Sequence, residues 1–109
     1  MSKYNSQRTF SSGKMYDSRR EAERARILRL MQKAGEITNL KEQVKFELIP
    51  AQYINGKCVE RAVTYIADFT YIDKSGNLIV EDAKGVRTEK YIIKRKLMLY
   101  VYGIRVQEV

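Results

Sequence analysis

A short segment with two carboxylates and a lysine, "IVEDAKG" at residues 79–85, follows an apolar run typical of a buried strand. Alternate residues of a strand share a face about 6.6–6.8 Å apart, so Asp82 and Lys84 are expected to point the same way. Glu81 is expected to point the opposite way. A strand end can present reactive groups, whereas unpaired charge inside a core is costly. The spacing therefore indicates a carboxylate and an ammonium group directed at one site.

A further carboxylate, Asp68, interrupts the apolar segment "YIADFTYI", in which carboxylates are normally depleted. The sequence "DKSGN" at residues 73–77 predicts a hairpin loop that pairs this strand antiparallel with the next one. Counting outward from the loop places Asp68 near the level of Asp82, although a register slip of one residue would reverse the face of Asp68. In the predicted register, two carboxylates and one ammonium group meet where the strands part.

These groups suit the metal-assisted hydrolysis of a phosphodiester. Asp68 and Asp82 would hold Mg²⁺, with the carbonyl of Ala83 as a further ligand, because Mg²⁺ prefers carboxylate oxygen. The metal would polarise the scissile phosphate and lower the pKa of a bound water, while Lys84 would orient that water or stabilise the developing negative charge. A structural ion pair between Asp82 and Lys84 is the alternative. Glu81 is expected to be a surface charge or a salt-bridge partner, although a bulge could bring it into the site.

Composition limits the other kinds of chemistry. The 109 residues include no histidine, which excludes Ser-His-Asp hydrolysis and histidine-based zinc sites, and the one cysteine excludes an intramolecular disulfide. The 21 Lys and Arg residues against 13 Asp and Glu give a net charge of +8, which favours a polyanionic partner such as nucleic acid. No stretch is apolar enough to cross a bilayer and no signal peptide is evident, so a cytoplasmic location is expected.

The order of apolar patterns predicts a single α/β (α+β) domain over residues 17–109. Residues 1–16 are polar and basic and are interpreted as a flexible arm or an irregular lead-in. The remaining elements follow in the order α-β-β-β-α-β, with a meander of three strands and a helical crossover to a fourth. This order implies a mixed four-stranded sheet flanked by helices. Its core is modest for the length of the chain, so a partner subunit could help to stabilise it.

Turn and cap signals set the bounds of the two predicted helices. Asp17 or Ser18 can cap the first helix, and Glu21 follows at the capping-box position, which explains this glutamate without any catalytic role. Thr88 is a candidate N-cap of the second helix, and Gly103 is its expected end. The second helix therefore starts just after the segment that carries the candidate site.

Basic side chains near the predicted site are candidates for phosphate binding. Lys94 falls near the face of Lys90 on the second helix, so it could grip a substrate phosphate. The alternative is that these lysines only form the solvated face of a helix. The residues predicted to bind nucleic acid are Lys94, Lys90, Arg87, Arg20 and Lys14.

An aspartate on one strand, (Asp/Glu)-x-Lys on the next and a preceding helical glutamate resemble the signature of the PD-(D/E)XK nuclease superfamily. The segments "YDSRREAER", "NLKEQVKFELIP", "YIADFTYID", "IVEDAKG" and "YGIRVQEV" are similar to a family of short phage-encoded nucleases of this superfamily. The resemblance implies a restriction-endonuclease-like core, with Asp68, Asp82 and Lys84 as the catalytic residues and Glu21 as an accessory carboxylate. Ala67 stands in place of the proline for which the motif is named.

This resemblance implies a phage endonuclease that acts on DNA in the cytoplasm of the host cell and uses Mg²⁺, with Mn²⁺ as an alternative. Recognition of DNA shape is favoured over sequence-specific restriction, so branched or forked recombination or replication intermediates are the expected substrates, as for Holliday-junction resolvases. A homodimer would place two sites on two strands. No membrane and no small-molecule cofactor are expected. The rival hypotheses are a non-catalytic nucleic-acid-binding module and a structural subunit of a phage assembly.

Overall fold

The structure is a computed structural model that describes residues 9–11, 14–16 and 18–109. In chain order its elements are β1 (Thr9–Ser11), β2 (Lys14–Tyr16), α1 (Arg19–Lys33), β3 (Thr38–Ile49), β4 (Gln52–Ile54), β5 (Lys57–Glu60), β6 (Val63–Ile72), β7 (Leu78–Asp82), α2 (Glu89–Tyr102) and β8 (Gln107–Glu108). Neither helix within these ranges is long and apolar enough to cross a membrane.

The central sheet has four strands in the order β3-β6-β7-β8. β3, β6 and β7 form an antiparallel meander, and β8 pairs parallel with β7 after α2 crosses over. The predicted α-β-β-β-α-β order, with a mixed four-stranded sheet and two helices, is therefore confirmed. This arrangement is consistent with a restriction-endonuclease-like core.

The two helices cover opposite faces of the sheet and form two separate apolar cores. Ile79 packs against the core of α1 and its neighbour Val80 lies in the core of α2, and adjacent residues of a strand point to opposite faces. The α1 core contains Tyr16, Ala22, Ala25, Leu28, Ile37, Phe69 and Tyr71. The α2 core contains Leu48, Tyr65, Ala67, Val80, Tyr91, Met98 and Val106.

Side-chain caps fix where each helix begins. The Ser18 hydroxyl accepts a hydrogen bond from the Glu21 amide at 3.1 Å, and the Thr88 hydroxyl accepts one from the Tyr91 amide at 3.1 Å. Each cap satisfies one of the amides that a helix start leaves without a partner. Gly103 ends α2 with φ +69°, a left-handed conformation that glycine adopts without steric cost. These caps agree with the sequence patterns, and Asp17 lies outside the described residues.

Two short strand pairs accompany the central sheet. β1 and β2 pair antiparallel within the segment that the sequence suggested was an irregular arm, and Tyr16 at the end of β2 is buried in the α1 core. The other residues of 1–16 lie outside the described ranges. β4 and β5 form a hairpin around Asn55 and Gly56, where the sequence signals a turn.

Strand β3 changes the face that it presents to the cores at Gln43. Leu40 packs against the α1 core and Phe46 against the α2 core, although both would share a face in a regular strand. Gln43 lies between them with φ +55°, a left-handed conformation that is uncommon for a residue other than glycine. This irregularity lets one long strand contribute to both cores.

Candidate active site

Asp68 lies at the corresponding change of face in β6. Ala67 belongs to the α2 core and Phe69 to the α1 core, although residues two positions apart in a regular strand share a face. The alternation of faces is therefore interrupted at Asp68, which lies between them. The register pairs Val44 with Ala67 and Glu42 with Phe69, which places Gln43 opposite Asp68. Gln43 and Asp68, the irregular positions of β3 and β6, therefore lie opposite each other. The sheet is distorted at Asp68, which is the first of the candidate metal ligands.

The pairing of β6 with β7 brings the second carboxylate to the same level. Phe69 lies opposite Glu81, so the next position along each strand brings Asp68 beside Asp82, as the count from the hairpin loop predicts. The Ala83 amide donates to Asp68 Oδ2 at 2.9 Å. The carboxyl groups of Asp68 and Asp82 lie close enough for each to shift the pKa of the other. Two acidic groups therefore meet at the end of β7.

Asp82 is almost completely buried, with 1% of its surface exposed. Burial and the adjacent Asp68 raise the pKa of Asp82 to about 7, because both disfavour the charged form. The Tyr65 hydroxyl donates to Asp82 Oδ2 at 2.8 Å, and Lys84 Nζ lies 3.4 Å from the same oxygen. These two contacts favour the charged carboxylate but do not offset its burial beside another acid.

Glu21 joins this group from the first turn of α1. It is buried, with 7% of its surface exposed, and its carboxylate is near enough to Asp68 to influence that group. Burial raises the pKa of Asp68; Asp82 and the Ala83 amide oppose the rise through hydrogen bonds, and Glu21 adds to it. The sequence explained Glu21 equally well as a capping residue, and the structure places it beside the two strand carboxylates.

The oxygen donors at this position fit a hard divalent cation. Asp82 is buried and Asp68 partly buried. Two adjacent carboxylates with raised pKa values favour a bound proton or a cation between them, and Mg²⁺ binds through one or two carboxylates while it keeps several waters. Across residues 18–109 and the two short strands before them, no group of three or more His, Cys, Asp or Glu side chains is arranged to hold a metal. The fit is therefore to an ion that is partly coordinated by water and substrate. Ala83 contacts Asp68 through its amide, and its carbonyl as a metal ligand stays a prediction.

Lys84 and two further lysines border the same cleft as Asp82. The cleft has a volume of about 320 Å³, and its lining includes Asp82, Lys84, Lys90, Tyr91 and Lys94. Lys84 Nζ lies 4.4 Å from the centre of the Tyr91 ring, a cation–π contact that limits where the ammonium group can move. The predicted placement of Lys90 and Lys94 beside the site agrees with the structure.

The other predicted nucleic-acid contacts lie elsewhere or cannot be placed. Arg87 pairs with Glu108 at 2.6 Å and lines a different cleft. Arg20 is exposed, and its guanidinium lies 3.5 Å from the Val109 carbonyl oxygen. The side chain of Lys14 lies outside the described residues.

Glu81 is a buried salt-bridge partner on the opposite side of the sheet from Asp82. Its carboxylate accepts two hydrogen bonds from Arg24 of α1 at 2.8 and 2.6 Å, and a third from the Tyr71 hydroxyl. Only 1% of Glu81 is exposed. Of the two expectations for Glu81, the salt-bridge partner is correct and the surface charge is wrong.

Two side chains at the site, Tyr65 and Gln43, were not singled out from the sequence. The Tyr65 hydroxyl donates to Asp82 Oδ2, and Gln43 Nε2 lies 3.5 Å from Asp68 Oδ1. Strict alternation places Tyr65 and Asp68 on opposite faces, so no regular pattern could assign both to one site. Only the change of face in β6 brings Tyr65 and Asp68 to one site, and no sequence motif marks that change.

Comparison with protein families matches residues 1–107 to the family described as "Protein of unknown function (DUF1064)". The chain belongs to this family. The match spans nearly the whole of the chain, and the description of the DUF1064 family gives no activity. Comparisons with curated proteins and with solved structures found no match.

Proposed function

We propose that this DUF1064 protein is a metal-dependent endonuclease of the PD-(D/E)XK superfamily that hydrolyses DNA phosphodiesters. The observation that carries the proposal is the meeting of Asp68, Asp82 and Lys84 where β7 ends beside the middle of β6. Glu21 adds a third acidic group beside Asp68. Buried acids beside one ammonium group, next to a cleft bordered by further lysines, suit the cleavage of a polyanion better than a purely structural role.

Each of these side chains has a role that follows from its contacts. Asp68 and Asp82 would hold Mg²⁺ or Mn²⁺, which when bound supplies Lewis acidity and a water of lowered pKa. Tyr65 holds Asp82 Oδ2, so the orientation of the carboxylate is set before any ligand arrives. Lys84 lies against the Tyr91 ring and can stabilise negative charge that develops on a phosphate. Glu21 acts as an accessory acid near Asp68.

The substrate is proposed from the charge of the protein and from the superfamily that its site resembles. The net charge of +8 and the two lysines of the site cleft favour a phosphate backbone. By analogy with small nucleases of the PD-(D/E)XK superfamily, we favour branched or forked DNA, which is recognised by shape. A homodimer would allow two strands to be cut, and a phage nuclease of this kind would act in the cytoplasm of the host cell.

A cleavage assay tests the proposal directly. Duplex, single-stranded, forked and four-way DNA would be incubated with Mg²⁺, Mn²⁺ or EDTA and with the wild type, Asp82→Ala or Lys84→Ala. We expect metal-dependent cleavage by the wild type and a loss of at least about 100-fold in each variant. Glu36→Ala, which removes an exposed acid outside the cleft, serves as the control and should cut like the wild type. Equal cleavage by Asp82→Ala and the wild type would show that the site is wrongly assigned.

A non-catalytic nucleic-acid-binding module is the second candidate. It is favoured by the lack, among the described residues, of a group of three acidic ligands, and by the engagement of Asp82 Oδ2 with Tyr65 and Lys84. Such a module would bind DNA equally with Mg²⁺ or EDTA. Asp82→Asn would then leave DNA binding unchanged or stronger, and no variant would differ from the wild type in cleavage.

A further inference from the structure

A second and larger cleft lies between α2 and β8. Its volume is about 760 Å³, more than twice that of the cleft beside Asp82. Four cationic side chains and one carboxylate line it: Arg87, Arg95, Lys96, Arg105 and Glu108. We call it the α2–β8 cleft. No role in the proposed hydrolysis accounts for it.

Glu108 fixes two of these cations in place without neutralising the cleft. Arg87 Nε lies 2.6 Å from Glu108 Oε1, and Arg95 Nη1 lies 2.9 Å from Glu108 Oε2. Burial opposes the ionisation of Glu108, but hydrogen bonds from Tyr91, Arg87 and Arg95 lower its pKa to about 2. Glu108 is therefore an anion at any physiological pH, and it orders the two guanidinium groups.

The remaining cations give the α2–β8 cleft an excess of positive charge. Lys96 and Arg105 are exposed, and no ion pair within the described residues engages either side chain. One carboxylate balances one of the four cations, so three positive charges remain in the cleft. Exposed guanidinium groups held in a fixed orientation are well suited to bidentate binding of phosphate oxygens.

Tyr91 connects the α2–β8 cleft with the candidate active site. Its hydroxyl donates to Glu108 Oε2 at 2.8 Å, while its ring lies 4.4 Å from Lys84 Nζ and lines the cleft of Asp82. Tyr91 is itself buried, so it links the walls of the two clefts through the interior of the protein.

We propose that the α2–β8 cleft is a second phosphate-binding site, which holds the DNA backbone away from the phosphate that is cut. The proposal extends the proposed nuclease function, because it assigns the same nucleic acid to both clefts. Arg87 and Arg95 supply an ordered guanidinium pair, and Lys96 and Arg105 supply charges without an internal partner. This site lets the protein bind DNA without the metal.

DNA binding in EDTA tests this second site without requiring cleavage. The affinities of the wild type and of Lys96→Gln/Arg105→Gln for labelled duplex and forked DNA would be measured over a series of salt concentrations. Each lost phosphate contact should reduce the slope of log K against log salt by roughly 0.9, so we expect a slope smaller by roughly 1 to 2 and an affinity at least about 10-fold weaker at low salt. Thermal melting of each protein checks that it is folded.

Lys33→Gln/Lys74→Gln is the matched control. It removes two exposed cations as well, from the end of α1 and from the hairpin loop between β6 and β7, and so changes the net charge equally. The control should bind DNA with nearly the slope and affinity of the wild type. If both double variants bind DNA alike, the effect is one of net charge and the α2–β8 cleft is not a phosphate site.

The outcomes separate this inference from the proposed function. A wild type that binds DNA through the α2–β8 cleft but never cuts it would refute the nuclease function and leave this site standing. A wild type that cuts DNA, with a Lys96→Gln/Arg105→Gln variant of unchanged KM and salt slope, would refute only this site. If the wild type shows no salt-dependent affinity for DNA, the cleft takes another partner, such as an acidic protein segment, and the inference is wrong.

Discussion

Asp82 is the carboxylic acid whose ionisation the fold opposes most clearly. Its carboxyl is buried beside Asp68, and its pKa is raised to about 7, whereas an aspartate in an unfolded chain has a pKa of about 3.9. The folded protein therefore binds a proton more tightly than the unfolded chain does. Without a metal, the stabilising contribution of protonated Asp82 is complete below about pH 4 and is lost as the pH rises to about 7.

Replacing Asp82 with asparagine should remove this pH dependence. In EDTA, we expect the free energy of unfolding of the wild type to fall by on the order of 2 kcal/mol between about pH 5 and pH 8. Asp82→Asn should show a much smaller fall and should exceed the wild type in stability at the higher pH, because it carries no ionisable group. Urea unfolding at the two pH values measures both proteins. Glu36→Gln, at an exposed position, is the control, and a wild type of equal stability at both values would contradict the prediction.

The sequence predicted the acidic groups of the site better than the side chains that hold them in position. The spacing in "EDAK" and the count from the hairpin loop were sufficient to bring Asp68 and Asp82 to one level, because antiparallel pairing fixes the register. Tyr65 was missed because its assignment requires the break in alternation beside Asp68. That break coincides with Gln43 at φ +55°, and a glutamine gives no local sign that it will adopt a left-handed conformation.

At the scale of elements, one buried ion pair holds α1 against the sheet beside the site. Arg24 binds the Glu81 carboxylate through two nitrogens, and Tyr71 donates to the same group. Arg24 lies one turn after Glu21 on α1, and Glu81 immediately precedes Asp82 on β7. The pair therefore fixes the distance between the helix that carries one acid and the strand that carries another.

Breaking this pair from either side should destabilise the fold strongly. Glu81→Gln leaves Arg24 without its carboxylate, and Arg24→Gln leaves a buried charge at Glu81. Removal of one partner of a buried pair typically costs about 3–5 kcal/mol. The double variant should lose less than the sum of the two single losses, as a double-mutant cycle of urea unfolding would show.

The same helix provides the control for this cycle. Arg26 and Glu23 form an exposed pair at 2.6 Å, in which both side chains are more than half exposed. Such pairs contribute little because water screens them, so Arg26→Gln should leave the midpoint of unfolding unchanged within error. A loss as small in Glu81→Gln would show that the Arg24 pair does not hold α1 in place.

Element order and caps were predictable, whereas the partner of Glu81 was not. Periodicity and cap residues gave both helices and the four main strands, because each of these signals is local. The contact between Arg24 and Glu81 joins positions 57 residues apart. It depends on how α1 packs across the sheet, so the sequence left two roles open for Glu81. The pairing of β1 with β2 was missed for another reason, since strands of three residues are too short to show a pattern of alternation.

For the molecule as a whole, the net charge is positive, whereas the buried charged side chains are acidic. The chain has a net charge of +8, and yet Glu21, Asp68 and Asp82 are held together beside the end of β7. Both basic clefts border α2, one beside these acids and the other beside β8. A divalent cation would relieve the repulsion among the acids, so its binding should be visible as added stability of the entire fold.

Mg²⁺ should therefore raise the thermal stability of the wild type at about pH 8, where the acids are ionised and repel one another. A ligand that binds only the folded state adds about 1.4 kcal/mol at ten times its dissociation constant, which for a domain of this size corresponds to a rise of several degrees in Tm. Asp82→Asn and Asp68→Asn should lose most of this rise, since each removes one of the two strand carboxylates. Lys96→Gln/Arg105→Gln should keep it, because the α2–β8 cleft contributes no acid to the site.

Potassium chloride at matched ionic strength separates the binding of Mg²⁺ from the screening of charge by salt. An equal rise in the wild type and in Asp82→Asn would mean that the cation acts elsewhere, and the metal site assigned to β6 and β7 would then be wrong.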